Sequence, residues 1–326
     1  MKLNVALIGV GVWGNNFLRL IKNNNDKFQL VATVDPSKTY ENEKNHFENI
    51  EDLLNSKIDF DSAIVTTPAI THFSIVEKLL KAKKNCLVEK PLTVNSDETR
   101  KLFNLSDENG ADLLVDHTFL YDPALLYIKN QLENNALGEL LHISFERTNF
   151  GPIRSDVNAN WDIATHDISI LSSIFKYLPK NIKSSGISTV NNEFEDIVST
   201  SMFYDNVFVT LLTSWLHPEK TRKIKIVGSE KMLVWDNMSF DEEIKIFDKS
   251  VLNDSDNNQG LYKNIRHTRN GSVIIPYIKK EEPLRNVIMD FYNLVSKKEK
   301  NKINTKDLTI RTIETMEMIE ESLNKN

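Results

Sequence analysis

The sequence is short of several features that would mark particular classes of protein. It has one cysteine in 326 residues, so no disulfide can form within the chain, and this fits a reducing compartment. Its formal net charge of −6 at pH 7 lacks the basic excess expected of nucleic-acid binding. No apolar run approaches the roughly 18 residues of a membrane span, and the short run near the start has no signal-peptide cleavage site. We therefore expect a cytoplasmic protein with no nucleic-acid or membrane partner.

The chain does have the composition of a globular protein, with 40% hydrophobic and 26% charged residues, and its length favours two domains. Up to residue 120, apolar runs of four to seven residues alternate with helical stretches, which predicts βαβ units around a parallel sheet. Farther along, apolar residues recur with a period of two, which predicts a large, mostly antiparallel sheet. These runs lie at 140–146, 197–204, 207–214, 222–227, 231–235 and 243–247.

The predicted fold class is therefore α/β, with an N-terminal Rossmann parallel sheet and a C-terminal α+β domain. We place the two domains at 1–120 and 121–326. Helices are predicted at about 12–23, 50–54, 71–84, 96–109, 125–132, 162–177, 283–297 and 307–323.

A glycine-rich turn, Gly9-Val10-Gly11-Val12-Trp13-Gly14, lies between the first strand and the first helix. In a G-x-G-x-x-G turn the first glycine permits the tight turn, the second lets the backbone approach a pyrophosphate, and the third allows close helix–strand packing. The helix N-terminus offers its amide groups to the phosphates. Because the pattern follows an apolar strand and Asp35 comes twenty-one positions after Gly14, it predicts a dinucleotide-binding domain.

Asp35 ends the second strand, where a carboxylate can accept both adenosine ribose hydroxyls and repel a 2′-phosphate. This favours NAD over NADP, although Lys38 nearby could soften the preference. The alternative for Asp35 is a turn or helix-capping residue. Thr66-Thr67-Pro68 follows the next strand and could line the dinucleotide, or it could cap the strand end.

Glu89-Lys90-Pro91 ends another apolar run, Asn85-Cys86-Leu87-Val88. The carboxyl ends of parallel strands form the edge where open α/β sheets bind ligands. A lysine at this edge can donate a proton or hold a substrate hydroxyl, and the proline restricts the backbone that carries it.

Asp162 and His166 lie four residues apart at the start of a predicted helix, so they share one helical face. The histidine can exchange a hydroxyl proton near neutral pH, and the aspartate can orient a substrate or the imidazole. A capping aspartate and a structural histidine are the alternative. No third ligand follows at a recognisable spacing, so we predict no metal.

In combination, the glycine turn, Glu89-Lys90-Pro91 and Asp162-x-x-x-His166 resemble the glucose–fructose oxidoreductase / inositol dehydrogenase (Gfo/Idh/MocA) family over essentially the whole chain. The resemblance implies an NAD-dependent oxidoreductase in which Lys90 contacts the reacting carbinol, His166 is the general acid or base, and Asp162 fixes the substrate. It also implies that nicotinamide C4 faces the second domain, and that this domain binds substrate and forms a homodimer or homotetramer through its sheet.

The resemblance is more specific around Asp116–Pro123 and Asn160-Trp161-Asp162, which look like members that oxidise the 3-hydroxyl of nucleotide-linked amino sugars in polysaccharide biosynthesis. The expected cofactor-binding residues are Gly9, Gly11, Val12, Trp13, Gly14, Asp35, Thr66, Thr67, Pro68, His72, Glu89 and Lys90. The expected substrate-binding residues are Lys90, His117, Arg154, Asn160, Trp161, Asp162 and His166.

Two alternatives remain at this point. The same residues would serve a ketosugar reductase or an inositol or cyclitol dehydrogenase. A protein of another class, a catalytically silent dinucleotide sensor or partner-binding protein, would keep the glycine turn but would have no need of Lys90, Asp162 and His166.

Overall fold

The computed structural model describes residues 2–37, 45–154, 157–190, 194–251 and 268–324. Lys38 lies outside these ranges. The chain forms two compact units, one made of Met1–Tyr121 with Glu282–Glu317 and the other of Asp122–Glu281 with Met318–Asn326. The expected second domain covered all of 121–326. In the structure, the segment Glu282–Glu317 groups instead with the N-terminal residues.

The strands of the described residues are β1 (Leu3–Ile8), β2 (Phe28–Val34), β3 (His46–Phe47), β4 (Ser62–Val65), β5 (Asn85–Glu89), β6 (Leu113–Asp116), β7 (Leu140–Phe150), β8 (Lys180–Ile187), β9 (Ile197–Tyr204), β10 (Val207–Ser214), β11 (Leu216–Gly228), β12 (Met232–Asp236), β13 (Ile244–Val251) and β14 (Thr268–Ile274). The α-helices are α1 (Val12–Asn23), α2 (Ile50–Asn55), α3 (Ala69–Lys81), α4 (Ser96–Asn109), α5 (Pro123–Glu133), α6 (Thr165–Ile174), α7 (Pro283–Lys297) and α8 (Lys306–Leu323).

The first unit contains a six-stranded sheet in the order β3-β2-β1-β4-β5-β6. Every pairing in it is parallel, which confirms the Rossmann sheet. The central strands β1 and β4 are buried along almost their whole length, as expected for parallel strands covered on both faces. All six carboxyl ends consequently meet at one edge.

Helix α7 explains why the C-terminal segment belongs to the first unit. Its apolar face buries Val287, Ile288 and Phe291 completely, and the helix packs against β5 and β6. The Tyr121 hydroxyl donates to Asp290 Oδ2 over 2.5 Å. Helical periodicity predicted this helix at its observed bounds, but periodicity does not say which sheet an apolar face covers.

The second unit contains an eight-stranded sheet in the order β14-β13-β12-β11-β7-β10-β9-β8. The pairing of β7 with β10 is parallel and the other pairings are antiparallel, which confirms a mostly antiparallel sheet. The sequence patterns missed β8 and β14. These edge strands are largely exposed on both faces, so they carry no period-two apolar signal.

Candidate active site

The glycine turn follows β1 and leads directly into α1. Gly9 has φ +86°, a backbone conformation that side chains disfavour. A Cβ on Gly14 would lie 2.2 Å from the Gly9 carbonyl oxygen, so only glycine allows the helix to approach the turn this closely. The first and third glycines therefore have the roles that the motif predicts.

Gly11 has a different environment from the other two glycines. A Cβ placed on it would meet no heavy atom of the described chain within 4 Å. The α1 N-terminus beside it has no side-chain cap, and Val12 is 83% exposed. This arrangement fits a dinucleotide, because a pyrophosphate can approach the backbone at Gly11 and accept hydrogen bonds from the first helical amides.

Asp35 lies at the end of β2, on one side of the glycine turn. Its Oδ2 accepts from the Val10 amide over 2.7 Å, and its Oδ1 accepts from the Ser37 amide over 2.9 Å. Each carboxylate oxygen can accept a second hydrogen bond. Asp35 therefore anchors the turn and can still bind ribose hydroxyls, so the capping alternative and the ribose assignment are compatible.

The turn after β4 packs against the glycine turn. The Thr66 hydroxyl donates to the Gly9 carbonyl over 2.6 Å. The Thr71 and Thr67 hydroxyls lie 2.8 Å apart, and α3 begins directly after Pro68. These contacts fix the backbone of 66–68 at the same sheet edge as Gly9.

His72 occupies an internal position rather than a ligand-facing one. It is 1% exposed, and its Nδ1 and Nε2 lie 2.9 Å and 2.7 Å from the Pro91 and Thr67 carbonyl oxygens. Burial lowers the pKa of His72, and these carbonyls oppose that effect. A neutral imidazole can donate to only one of the two carbonyls. His72 thus ties the turn after β4 to the turn after β5.

Lys90 directly follows β5, two strands from β1 in the sheet. At the usual strand spacing this is about 10 Å from the glycine turn. Its backbone amide donates to the Glu89 carboxylate, and the Lys90–Pro91 peptide is cis. Asp35 lies on the other side of β1, so Asp35 and Lys90 flank the glycine turn, as the two ends of a dinucleotide centred on the turn would require.

The end of β6 places Asp116 and His117 beside this lysine. Both side chains are buried, and Asp116 pairs with Glu89 in the parallel register. Burial raises the pKa of Asp116 to about 6, although its hydrogen bond from Thr118 and the positive charge of Lys90 oppose the rise. Burial, together with Lys90, lowers the pKa of His117 to about 3. His117 is therefore neutral at physiological pH.

In the second unit, Asp162 lies in a π-helical turn, Asn160–Ala164, which leads into α6. The Thr165 hydroxyl donates to the Trp161 carbonyl over 2.7 Å. That carbonyl would accept from the Thr165 amide in a regular α-helix, so the hydroxyl favours the wider turn. The predicted helix at 162–177 therefore begins earlier than expected, with a π turn, and ends at Ile174. Such turns are frequent at functional sites.

Trp215 and Arg154 contact the Asp162 carboxylate. Buried Trp215 donates from Nε1 to Oδ2 over 3.1 Å, and Arg154 Nη1 lies 3.7 Å from Oδ1. Arg154 is more than one-third exposed and Asp162 one-fifth exposed. Asp162 is therefore an oriented, partly solvent-accessible carboxylate, as substrate binding requires.

His166 is half-buried at the second position of α6. The next residue, Asp167, forms a buried ion pair with Arg147 of β7. Arg147 Nε lies 3.0 and 2.9 Å from the two Asp167 oxygens, and Nη2 lies 2.6 Å from Oδ1. This bidentate pair, which the sequence patterns missed, attaches the first turn of α6 to the sheet directly beside His166.

The two other expected substrate residues in this turn are buried. Asn160 is 1% exposed and Trp161 is 8% exposed, and the Trp161 amide donates to Asn158 Oδ1 over 3.0 Å. The structure therefore groups Arg154 and Trp215 around the Asp162 carboxylate, whereas Asn160 and Trp161 are buried. No group of three or more potential metal ligands occurs among the residues described, and no helix within those ranges is both long and apolar enough to cross a bilayer.

Comparison with known proteins places this geometry in a family. Residues 3–117 match the model described as the oxidoreductase family, NAD-binding Rossmann fold, and residues 125–234 match the GFO/IDH/MocA C-terminal domain. The first unit is thus an NAD-binding Rossmann domain. The chain belongs to the Gfo/Idh/MocA oxidoreductase family.

Curated relatives of the chain include two dehydrogenases. UDP-N-acetylglucosamine 3-dehydrogenase of Acidithiobacillus ferrooxidans is 23% identical over 57% of both chains. Inositol 2-dehydrogenase of Salmonella typhimurium is 23% identical over 56% of this chain and 57% of its own length. The chain thus matches a little over half the length of either relative.

Solved structures cover more of the chain. UDP-N-acetylglucosamine 3-dehydrogenase GnnA from A. ferrooxidans matches with a TM-score of 0.80, 18% identity and coverage of 100% of this chain and 99% of that one. GenD2 from gentamicin A biosynthesis, solved in complex with NAD, matches with a TM-score of 0.81, 18% identity and coverage of 99% and 94%. At these identities the similarity shows the fold alone.

Proposed function

We propose that this protein is an NAD-dependent dehydrogenase that interconverts a secondary alcohol and a ketone of a sugar. The observation that carries the proposal is the position of Lys90. It extends from the same sheet edge as the open glycine turn, on the side opposite Asp35, where a bound nicotinamide belongs. A dinucleotide sensor would have no need of a lysine there.

The proposed chemistry assigns one role to each of three side chains. The Lys90 ammonium binds the oxygen of the reacting carbinol, and His166 removes the hydroxyl proton or returns it in the reverse reaction. Asp162, oriented by Trp215, holds the sugar through its hydroxyl groups. Bound NAD supplies the hydride acceptor.

We further propose that the substrate is a nucleotide-linked amino sugar, oxidised at the 3-hydroxyl as in polysaccharide biosynthesis. Support comes from the relative named UDP-N-acetylglucosamine 3-dehydrogenase, which matches in sequence and in fold. Arg154 beside Asp162 adds a cation suited to an anionic group of such a substrate. Because inositol 2-dehydrogenase matches at similar identity, free inositol is the competing substrate to assay.

Asp35 favours NAD over NADP in this proposal. Its two oxygens accept from the Val10 and Ser37 amides, and a 2′-phosphate placed beside them would meet a carboxylate. The test is to measure turnover with NAD and with NADP at equal concentration and with the same sugar, and turnover should be faster with NAD.

The chain also offers a surface for self-association, and we propose a homodimer or homotetramer formed through the C-terminal sheet. Phe203, Phe208 and His142 lie on adjacent strands, with ring centroids 5.0 Å (Phe203–Phe208) and 5.5 Å (His142–Phe208) apart. Phe203 is 37% exposed. An apolar surface of this kind favours a protein partner over water, and sedimentation showing only monomers at micromolar concentration would argue against it.

The test of the catalytic assignment is turnover of UDP-N-acetylglucosamine by Lys90→Met and His166→Ala. Each variant should lose roughly 10²-fold or more of kcat, the scale for removing a positioned acid–base group, while NAD still binds. Lys101→Met, which removes an exposed lysine of α4, is the matched control and should leave kcat unchanged. Normal turnover in Lys90→Met or His166→Ala would remove that residue from the mechanism.

A further inference from the structure

Asp116 is a buried acid to which the proposed chemistry assigns no role. It ends β6 at the edge that carries the glycine turn and Lys90, and its side chain is 0% exposed. An ionised carboxylate in such a place is costly unless a charge or several hydrogen-bond donors face it. Its partners therefore indicate what it does.

Only one of its two oxygens is occupied. The Thr118 hydroxyl donates to Oδ1 over 2.6 Å, which fixes the orientation of the carboxylate. Oδ2 is fully buried and has no hydrogen-bond partner among the described residues. A buried oxygen held in a defined orientation without a donor is unusual in folded proteins and calls for a functional explanation.

The groups around Asp116 limit which donor this can be. Glu89, its partner in the register of β5, carries a carboxylate that already accepts from the Lys90 amide. His117 is neutral, its Nε2 lies 3.4 Å from the Thr309 hydroxyl, and its buried Nδ1 has no partner among the described residues, so His117 is the competing uncharged donor. The remaining charged group is Lys90, whose positive charge acts on both Asp116 and His117.

We propose that Asp116 is a positioning residue that accepts a hydrogen bond from the Lys90 ammonium and so aims this cation at the substrate oxygen. The inference rests on the proposed function for what Lys90 does, but the proposed hydrogen bond can be tested without measuring turnover. Thr118 holds one oxygen, and Lys90 donates to the other. Asp116 does not touch the substrate in this arrangement.

The experiment measures how fast an amine-reactive acetylating reagent modifies Lys90, with exposed Lys101 as the internal reference and mass spectrometry to locate the label. Only the neutral amine reacts, and the Asp116 carboxylate favours the ammonium. In the full-length protein, Asp116→Asn should therefore raise the Lys90 acetylation rate relative to Lys101 by about 10-fold, the effect of losing one charge-assisted hydrogen bond.

Thr118→Val is the matched control, because it removes the hydroxyl that donates to Oδ1 and keeps the charge of Asp116. If Asp116 serves only to cap the turn after β6, both variants should change Lys90 acetylation equally. The proposal expects a change of less than twofold in Thr118→Val. Equal rates in Asp116→Asn and the wild type would overturn it, provided that both bind NAD equally and are therefore folded.

Steady-state kinetics separate this proposal from the proposed function. Asp116→Asn should lower kcat by about 10-fold and leave the KM for NAD unchanged, because the glycine turn is untouched. If the wild type oxidises no sugar, the proposed function fails, yet the acetylation result still decides whether Asp116 holds Lys90. A fall in kcat without a change in acetylation would also contradict the positioning role.

Discussion

Two buried aspartates, one in each unit, adjoin the proposed catalytic residues in opposite ways. Asp167 follows His166 and is saturated by one guanidinium, whose nitrogens lie 2.6 to 3.0 Å from its oxygens. Asp116 lies near Lys90 and receives one hydroxyl hydrogen bond, while its other oxygen has no partner in the described chain. The two are equally buried, so burial alone does not determine what an acidic side chain does.

The difference separates a structural acid from a functional one. A carboxylate that meets a buried guanidinium along both oxygens fixes its element in place, as Asp167 fixes the start of α6 on β7. A buried carboxylate with one unpartnered oxygen, such as Asp116, lowers the stability of the folded protein. Such an oxygen is expected where the carboxylate binds a functional group, here the Lys90 ammonium. Replacing aspartate by asparagine should therefore lower the free energy of unfolding at Asp167 and raise it at Asp116.

The largest effect is expected for Asp167→Asn. It leaves the Arg147 guanidinium buried without its counter-charge, and breaking a buried pair in this way costs about 3–5 kcal/mol. We expect that loss in the free energy of unfolding from urea denaturation at pH 7.5. A double variant, Arg147→Met with Asp167→Asn, should lose less than the sum of the single variants, and additive losses would show that the pair is not coupled.

The second prediction concerns Asp116→Asn, which should stabilise the protein above pH 6. The folded-state pKa of Asp116 is about 6 against an ordinary value of 3.8, so the folded protein binds the extra proton between these values. Stability from this group is therefore present at low pH and is lost as the pH rises from about 4 to 6. Asparagine does not titrate, so the variant does not lose this stability. Above pH 6 its free energy of unfolding should exceed that of the wild type by at most about 3 kcal/mol.

The measurement is the difference in unfolding free energy between Asp116→Asn and the wild type at several pH values. Glu89, Lys90 and His117 face the same site and are present in both proteins. The lowered pKa of His117 makes the free energy of unfolding rise with pH between about pH 3 and 6.5. Because His117 is present in both proteins, its contribution cancels in the difference. A difference that does not grow between pH 4 and 6 would contradict the prediction.

The smallest effect in this comparison is expected for Thr118→Val. It removes one hydroxyl hydrogen bond to Asp116 Oδ1 and leaves the charge in place, so it should cost about 1 kcal/mol of unfolding free energy at pH 7.5. A cost as large as that of Asp167→Asn would mean that Asp116 is fixed as firmly as Asp167, and the contrast between the two would fail.

Much of the first unit could be predicted from sequence because its signals are local. The strands are short and mostly apolar, the helices are amphipathic, and the glycine turn has a geometric requirement at Gly9 and Gly14. Accordingly α1 and α4 were predicted at their observed bounds, and α3 was displaced by two to three residues. In the second unit β9 and β10 were also predicted at their bounds, because half of each is buried and their side chains alternate.

What could not be predicted depends on contacts distant in sequence. The Arg147–Asp167 pair joins residues 20 apart on a strand and a helix, and no motif marks it. His72 was expected among the cofactor-binding residues, and its two carbonyl contacts emerge only when α3 is placed beside the turn after β5. Asp116 could have been found from the sequence, because it is an acid at the end of a predicted parallel strand and so lies at the same sheet edge as Lys90.

The central claim is that hydride passes between nicotinamide and a sugar carbon, and isotope transfer tests it most directly. Wild-type protein would be incubated with NAD and UDP-N-acetylglucosamine carrying deuterium at C3 of the sugar, and the reduced cofactor analysed by mass spectrometry. The account predicts NADH one mass unit heavier than that formed from unlabelled sugar. Reduced cofactor without the label, or no reduction of NAD at all, would contradict it.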